Sequence, residues 1–252
     1  MVEAATWAPL RVEHIGPWRA GVSGGFTRRA NSAVDLAEAT GPSPHHAVEL
    51  EALGAVEQLY ASCGQPSILR VPTDASGHGP GPRLLQALDT RGYRTVSTTR
   101  VLARTADGAA AVPDGQVADG AVTVEVADRP DATWLAGWLG VKAAAGVDPG
   151  VARGILMGCT GGYLAARDGS EVLGVIRAAR VGDWVALSCL AVAPGARRRG
   201  LGRVLTAAAT RWGHQSGARR AFLQVEAANV AALALYDDLG FRSVDEYVYR
   251  ER

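Results

Sequence analysis

The sequence predicts an α/β fold in two similar halves, each a mixed sheet flanked by helices, and three observations predict it. Strand-like alternation and helical periodicity take turns along the chain, as helices packed on a sheet require. Residues 106–121 (ADGAAAVPDGQVADGA) are small and polar, short of large apolar side chains, and read as a linker. The patterns on either side of that stretch repeat.

The chain has 252 residues, 48% of them hydrophobic, which is apolar surface enough for one large domain or two small ones. The linker divides it into residues 1–105 and 122–252. In the first half, residues 47–62 have an amphipathic helix pattern, 67–71 a strand, 83–90 a helix, and 93–103 a further strand after Gly92. In the second half, 122–126 opens with a strand. Residues 163–166 and 172–179 follow as strands, and Trp184–Val192 is apolar enough to be a strand buried on both faces. Residues 200–216 are an amphipathic helix, 220–225 a strand and 229–239 a helix. Gly240 is placed to end that helix in a left-handed conformation before an alternating strand over 241–249. Gly92-Tyr93-Arg94 matches Gly240-Phe241-Arg242 at an offset of 148, and Leu85/Leu233, Asp89/Asp237 and Val96/Val244 fall in the same register. A tandem duplication accounts for helix, stop and strand recurring together.

Composition excludes several classes of function. Net charge is +1 with the two signs interspersed, and one short arginine run is not the basic stripe that a nucleic-acid backbone calls for. Cys63, Cys159 and Cys189 are odd in number and widely spaced. They fit neither a disulfide framework nor a metal pattern and read as small buried hydrophobes, so no metal is expected. No basic-then-apolar leader and no run of about 18 apolar residues is present, which predicts a cytoplasmic protein without a membrane partner.

The stretch that carries chemistry is LAVAPGARRRGLGRVL, residues 190–205. A buried strand ends at Val192, Pro194-Gly195 turns the chain, and R-R-R-G-L-G leads into a helix. N–H groups at a helix N-terminus lack intrahelical acceptors, and the helix dipole places partial positive charge there. Gly200 and Gly202 let the main chain approach a pyrophosphate, and the arginines add charge-assisted hydrogen bonds. These residues resemble the CoA-pyrophosphate motif of the GCN5-related N-acetyltransferases, [Arg/Gln]-x-x-Gly-x-[Gly/Ala], on Arg197, Gly200 and Gly202. The resemblance implies acetyl-CoA as co-substrate, held by Arg197, Arg198, Arg199, Gly200, Leu201, Gly202 and Arg203. It also makes Leu190-Ala191-Val192 the family's splayed strand, pairing with pantetheine, with the Leu190 N–H polarising the thioester carbonyl.

LQVEAANVAALALYDDLGF (residues 223–241) is similar to that family's closing segment. By that likeness Asn229 contacts the CoA arm and Tyr236 stands near the sulfur and protonates the leaving thiolate. A phenol with a pKa of ~10 keeps that proton at neutral pH. The alternative for Tyr236 is packing under the sheet. The implied fold is a tandem one, with mixed central sheets flanked by helices, a catalytic copy over 122–252 and a degenerate copy over 1–105. The first copy has no Arg-x-x-Gly-x-Gly, holds Leu88 where the second has Tyr236, and replaces Asn229 by a longer loop over 74–82. Residues 24–31 (GGFTRRAN) read as a loop facing the second half or as a plain turn.

Direct transfer needs the acceptor amine to lose a proton before attack. Ribosomal-protein acetyltransferases have a glutamate two residues before the position of Glu226; here Gln224 stands there. Glu226 is the nearest carboxylate, either the base or a solvated strand end. Ser188 and Cys189 could also point into the site, although nothing in the sequence lowers a Cys189 pKa. By the same resemblance the acceptor pocket falls to 130–162 and 241–249. Trp134 and Trp138 share a helix face there, read as core before ligand wall. The expected activity is acetyl transfer to a primary amine of a small metabolite or antibiotic-like molecule by a monomer or homodimer. A non-catalytic CoA-binding sensor or scaffold is the alternative.

Overall fold

A computed structural model describes residues 2–36, 46–73, 82–105, 122–142 and 148–252. The linker over 106–121 and most of the loop over 74–82 lie outside the described residues. The first half supplies α1 (Val2–Thr6), β1 (Arg11–Ile15), β2 (Trp18–Val22), β3 (Ala33–Asp35), α2 (His46–Ser62), β4 (Ile68–Pro72), α3 (Pro82–Thr90) and β5 (Arg94–Thr105). The second supplies β6 (Val122–Ala127), α4 (Ala132–Lys142), α5 (Pro149–Leu156), β7 (Gly161–Asp168), β8 (Glu171–Val181) and β9 (Trp184–Val192). It continues with α6 (Leu201–Gln215), β10 (Arg220–Glu226), α7 (Val230–Asp238) and β11 (Arg242–Glu251). From α2 onward the elements read from periodicity recur in the predicted order, whereas α1 and β1–β3 lie in residues for which no element is predicted. Among the described residues no helix is long and apolar enough to cross a membrane.

The chain packs as two compact units whose segments interleave along the sequence. One unit takes Met1–Thr6, Leu102–Val225 and Asn229–Arg242; the other takes Trp7–Val101, Glu226–Ala228 and Ser243–Arg252. The division therefore does not follow 1–105 and 122–252 at either end of the chain. A strand needs a ladder partner for its N–H and C=O groups, and β11 finds its partner in β4.

In the first unit the strands run β10-β9-β8-β7-β6, antiparallel apart from the β9/β10 pair. One face is covered by α6, whose Leu201, Leu205 and Ala209 pack with Leu164, Ile176, Leu187 and Leu223 from the strands. Glycines allow the close approach: a Cβ on Gly213 would stand 2.5 Å from Val185 Cγ1, and one on Gly162 would stand 2.7 Å from the Trp212 ring. The opposite face meets α4, where Trp134 Nε1 donates to the Leu164 carbonyl at 3.0 Å and Trp138 is buried. The two rings lie 6.1 Å apart, which makes this stripe core.

In the second unit the order is β1-β2-β3-β4-β11-β5. β11 is antiparallel to β4, from Tyr247 opposite Pro72 to Glu251 opposite Ile68. Trp18, Leu53, Val56, Tyr60, Leu69 and Leu88 form its core. The Gly24–Asn31 stretch is a turn tied by one buried side chain. Asn31 accepts from the Ser23 and Gly25 N–H groups and donates to the Phe26 and Thr27 carbonyls.

The repeat read from the sequence recurs in the backbone. Gly92 and Gly240 both adopt left-handed conformations, φ +83° and +80°. At the same offset of 148, Tyr93 N–H bonds the Leu88 carbonyl at 3.0 Å and Phe241 N–H bonds the Tyr236 carbonyl at 2.9 Å. The three cysteines form no disulfide and are half-buried, less enclosed than their apolar neighbours suggest. Cys159 explains this by its polar company: its sulfur accepts from the Arg177 guanidinium at 3.1 Å.

Candidate functional site

The site is built where β9 parts from β10. Their parallel pairing runs from Trp184/Arg220 to Leu187/Leu223 and stops, although the strands continue to Val192 and Glu226. On its other edge β9 carries a bulge. Val175 pairs with Ala191 and Arg177 with Ser188, so Cys189 and Leu190 together face the single residue Ile176. Cys189 takes the strain of that extra residue in a left-handed conformation, φ +60°. Beyond the bulge, Ala193 N–H donates to the Leu173 carbonyl of β8 at 2.9 Å. Alternation along the strand then turns the backbone groups of Leu190 and Val192 toward the edge that β10 has left. The Val192 carbonyl is met there by Arg197 Nε at 3.3 Å. An edge N–H at such a parting can bind a carbonyl oxygen.

The chain leaves β9 through a 3-10 turn, Pro194–Ala196, and enters α6 through two left-handed residues, Arg198 (φ +65°) and Gly200 (φ +81°). Gly200 is the N-cap and brings no side chain to the helix start. The helix hydrogen-bond ladder begins with Val204 N–H on the Gly200 carbonyl, so the N–H groups of Leu201, Gly202 and Arg203 precede it. A Cβ on Gly202 would lie 3.2 Å from Leu235 Cδ2 and 3.9 Å from Leu190 Cδ2, which fixes this first turn close to both. Arg197, Arg198 and Arg203 are exposed and Arg199 is half-buried; Arg203 pairs with Asp238 at 2.9 Å. Backbone donors, a dipole end and neighbouring cations together suit an anion.

Asn229 caps α7, its Oδ1 accepting from Ala232 N–H at 3.1 Å. Tyr236, two turns on, is 8% exposed with its ring edge-on to Phe241 at 5.9 Å. Burial pushes its phenol up to about 12. Leu190, Ala191, Val192, the loop 197–203, Asn229 and Tyr236 thus all belong to one compact unit. Glu226 does not: it is exposed at the end of β10 and groups with the second unit, where Ala227 N–H bonds the Thr98 carbonyl.

Two polar residues, one buried and one half-buried, escape a reading based on strand pattern alone. Arg177 on β8 is fully buried and donates to the Thr6 carbonyl at 2.8 Å and to the Cys159 sulfur. Gln224 on β10 has both amide atoms shielded from solvent with no hydrogen-bond partner among the described residues. The signal for Gln224 was a polar residue at an alternating position of a buried strand.

A mixed sheet whose central parallel pair parts over a bulge, followed by a glycine-capped helix, defines the GCN5-related N-acetyltransferase fold. Residues 2–250 match the family described as "Probable histone acetyltransferase Rv0428c C-terminal", and the chain belongs to that family. It is 26% identical over 258 residues to the uncharacterized N-acetyltransferase YobR of Bacillus subtilis (strain 168), covering 98% of this chain and 94% of that protein. Among solved structures, the chain resembles a GCN5-related N-acetyltransferase from Kribbella flavida with a TM-score of 0.65, at 19% identity over 96% of this chain and 89% of that one. A tandem GNAT protein from the clavulanic acid biosynthesis pathway gives a TM-score of 0.62, at 16% identity over 83% of this chain and 71% of that one.

Proposed function

We propose that this chain transfers acetyl from acetyl-CoA to a primary amine, probed best among small metabolite and antibiotic-like amines, by direct transfer in a ternary complex. The observation that carries this reading is the parting of β9 from β10 over the Cys189 bulge, in line with the glycine-capped start of α6. In this reading pantetheine lies along Leu190–Val192 and the thioester oxygen accepts from the Leu190 N–H. The pyrophosphate meets the N–H groups of 200–203 with Arg197, Arg198 and Arg199 around it, and Asn229 adjoins the CoA arm. Tyr236 donates a hydrogen bond to the sulfur and passes it a proton as the C–S bond breaks; a phenol raised to about 12 holds that proton at neutral pH, and the phenolate left behind is reprotonated from water. The acceptor's own proton leaves to water or to a carboxylate, for which Glu226 is offered. Residues 122–252 supply this chemistry and residues 1–105 support the fold.

The family's description names a histone acetyltransferase, so basic peptides belong in the test beside small amines. Residues 130–162 carry few charges, which supports the small-amine reading over a basic tail. Thiol release from acetyl-CoA is measured with pools of amino acids, polyamines, aminoglycosides, thiol-sugar amines and basic peptides. One pool turns over, and Tyr236→Phe slows it by roughly 10²-fold or more without loss of acetyl-CoA affinity. Binding of acetyl-CoA with every pool silent would favour the sensor reading instead.

A further inference from the structure

Gln224 has a place in the fold that the acyl-transfer reading above leaves unused. Leu223 and Val225 turn into the core under α6, so Gln224 and Phe222 lie on the other face of β10. Phe222 packs edge-on to Trp184 at 5.8 Å, at the paired end of the strand. Gln224 is one residue past the last pair, Leu223/Leu187, just as Ser188 is on β9. Ser188 is opposite Arg177 on β8, and Arg177 is opposite Tyr163 on β7. A row of four polar side chains, one per strand, therefore crosses this face and ends where the strands part.

The inner members of that row have partners. The Tyr163 hydroxyl donates to the Leu156 carbonyl at 2.6 Å, and Arg177 donates to the Thr6 carbonyl and to Cys159. Gln224 alone in the row has two polar atoms hidden from solvent and no partner among the described residues. A buried amide left unpaired destabilises the fold. Gln224 thus stands at the open end of the row with its amide bonds unfilled.

We propose that Gln224 is a specificity-determining residue that selects amine acceptors bearing a neutral group able both to donate and to accept a hydrogen bond, a hydroxyl or a carboxamide, beside the reacting nitrogen. A carboxamide has donors and an acceptor and does not titrate. A carboxylate or second ammonium brought against it loses its water with no counter-charge from the amide, and an alkyl group leaves the amide unpaired. The inference rests on the acyl-transfer reading of this site, and its test separates the two.

Wild type and Gln224→Met are compared with ethanolamine, glycinamide, glycine, ethylenediamine and propylamine as acceptors, and in thermal melts without any ligand. Ethanolamine or glycinamide exceeds the other three in kcat/KM by at least about tenfold with wild type, and the ratio collapses toward one with Gln224→Met. The hydroxyl and carboxamide arms tell which neutral group is taken. In the melts Gln224→Met raises Tm by about 2–4 °C, because an apolar chain of similar length removes an unpaired buried amide. Equal use of all five amines, or a Tm that falls or stays put, overturns the assignment. If none of the five is turned over, the melt alone decides. Failure of the acyl-transfer reading shows separately, as absence of acetyl-CoA binding by wild type or as binding with every acceptor pool silent.

Discussion

Tyr236 shows how the burial of one side chain ties a proposed chemical role to stability. Burial lifts its phenol to about 12, while in the unfolded chain it titrates near 10. Below about pH 10 both states hold the proton and the group adds no pH dependence. Between about 10 and 12 the unfolded chain releases a proton that the folded chain keeps, so stability falls as pH rises through that window. Tyr93 is pushed up to about 12, chiefly by burial, and Tyr60 and Tyr249 are raised in the same direction. A Tm followed against pH should therefore be level from about 8 to 10 and drop above it, with a shallower drop in Tyr236→Phe. A slope equal to that of wild type would show that Tyr236 ionises freely in the folded protein. The L-G-F context made Tyr236 legible in the sequence. Its raised pKa was not, because that depends on Phe241 and the core closing around the ring. Gln224 and Glu226 reverse each other's standing for a similar reason: residue type favoured the carboxylate, whereas burial singles out the amide.

At the scale of elements, the turn into α6 and the cap of α7 separate folding from ligand affinity. Gly200 has open space around a would-be Cβ, so Gly200→Ala meets no clash and costs only the left-handed backbone, about 1 kcal/mol. A Tm lowered by roughly 2–4 °C should accompany weaker acetyl-CoA binding in calorimetry, since this residue aims the N–H groups that follow. Asn229 works the other way round. Asn229→Asp keeps an equally good N-cap and hence Tm, and if the proposed site holds, its added negative charge should weaken acetyl-CoA binding. Asn229→Ala should lose about 1 kcal/mol of stability as well. Unchanged affinity in Asn229→Asp would show that the residue only caps the helix. Helix ends were legible here because Gly and Asn mark them by mechanism. The bulge was not: Ser188-Cys189 contains no turn residue, and the extra residue is defined only by the register of β9 on β8.

For the whole molecule, the repeat at an offset of 148 was legible, because a stop glycine between a helix and a strand keeps its signature. Where the last strand pairs was not. A period of two says that 241–249 lies in a sheet and is silent about its neighbour. β11 ladders on β4, and a fragment of residues 122–252 would carry that strand without its partner. Such a fragment should run as aggregate in size-exclusion chromatography, or lose residues 243–252 rapidly to protease. A monodisperse, protease-resistant fragment would contradict this.

The strand interleaving also sets an order of assembly during synthesis. β4 waits beside a vacant sheet position while about 170 further residues are added, since Ile68 ladders with Glu251. Until residues 243–252 have been made, the second unit is a sheet with a gap between β4 and β5. The strand that closes this sheet is thus made after all the others in it, and a pause between β5 and β11 would expose that gap to chaperones.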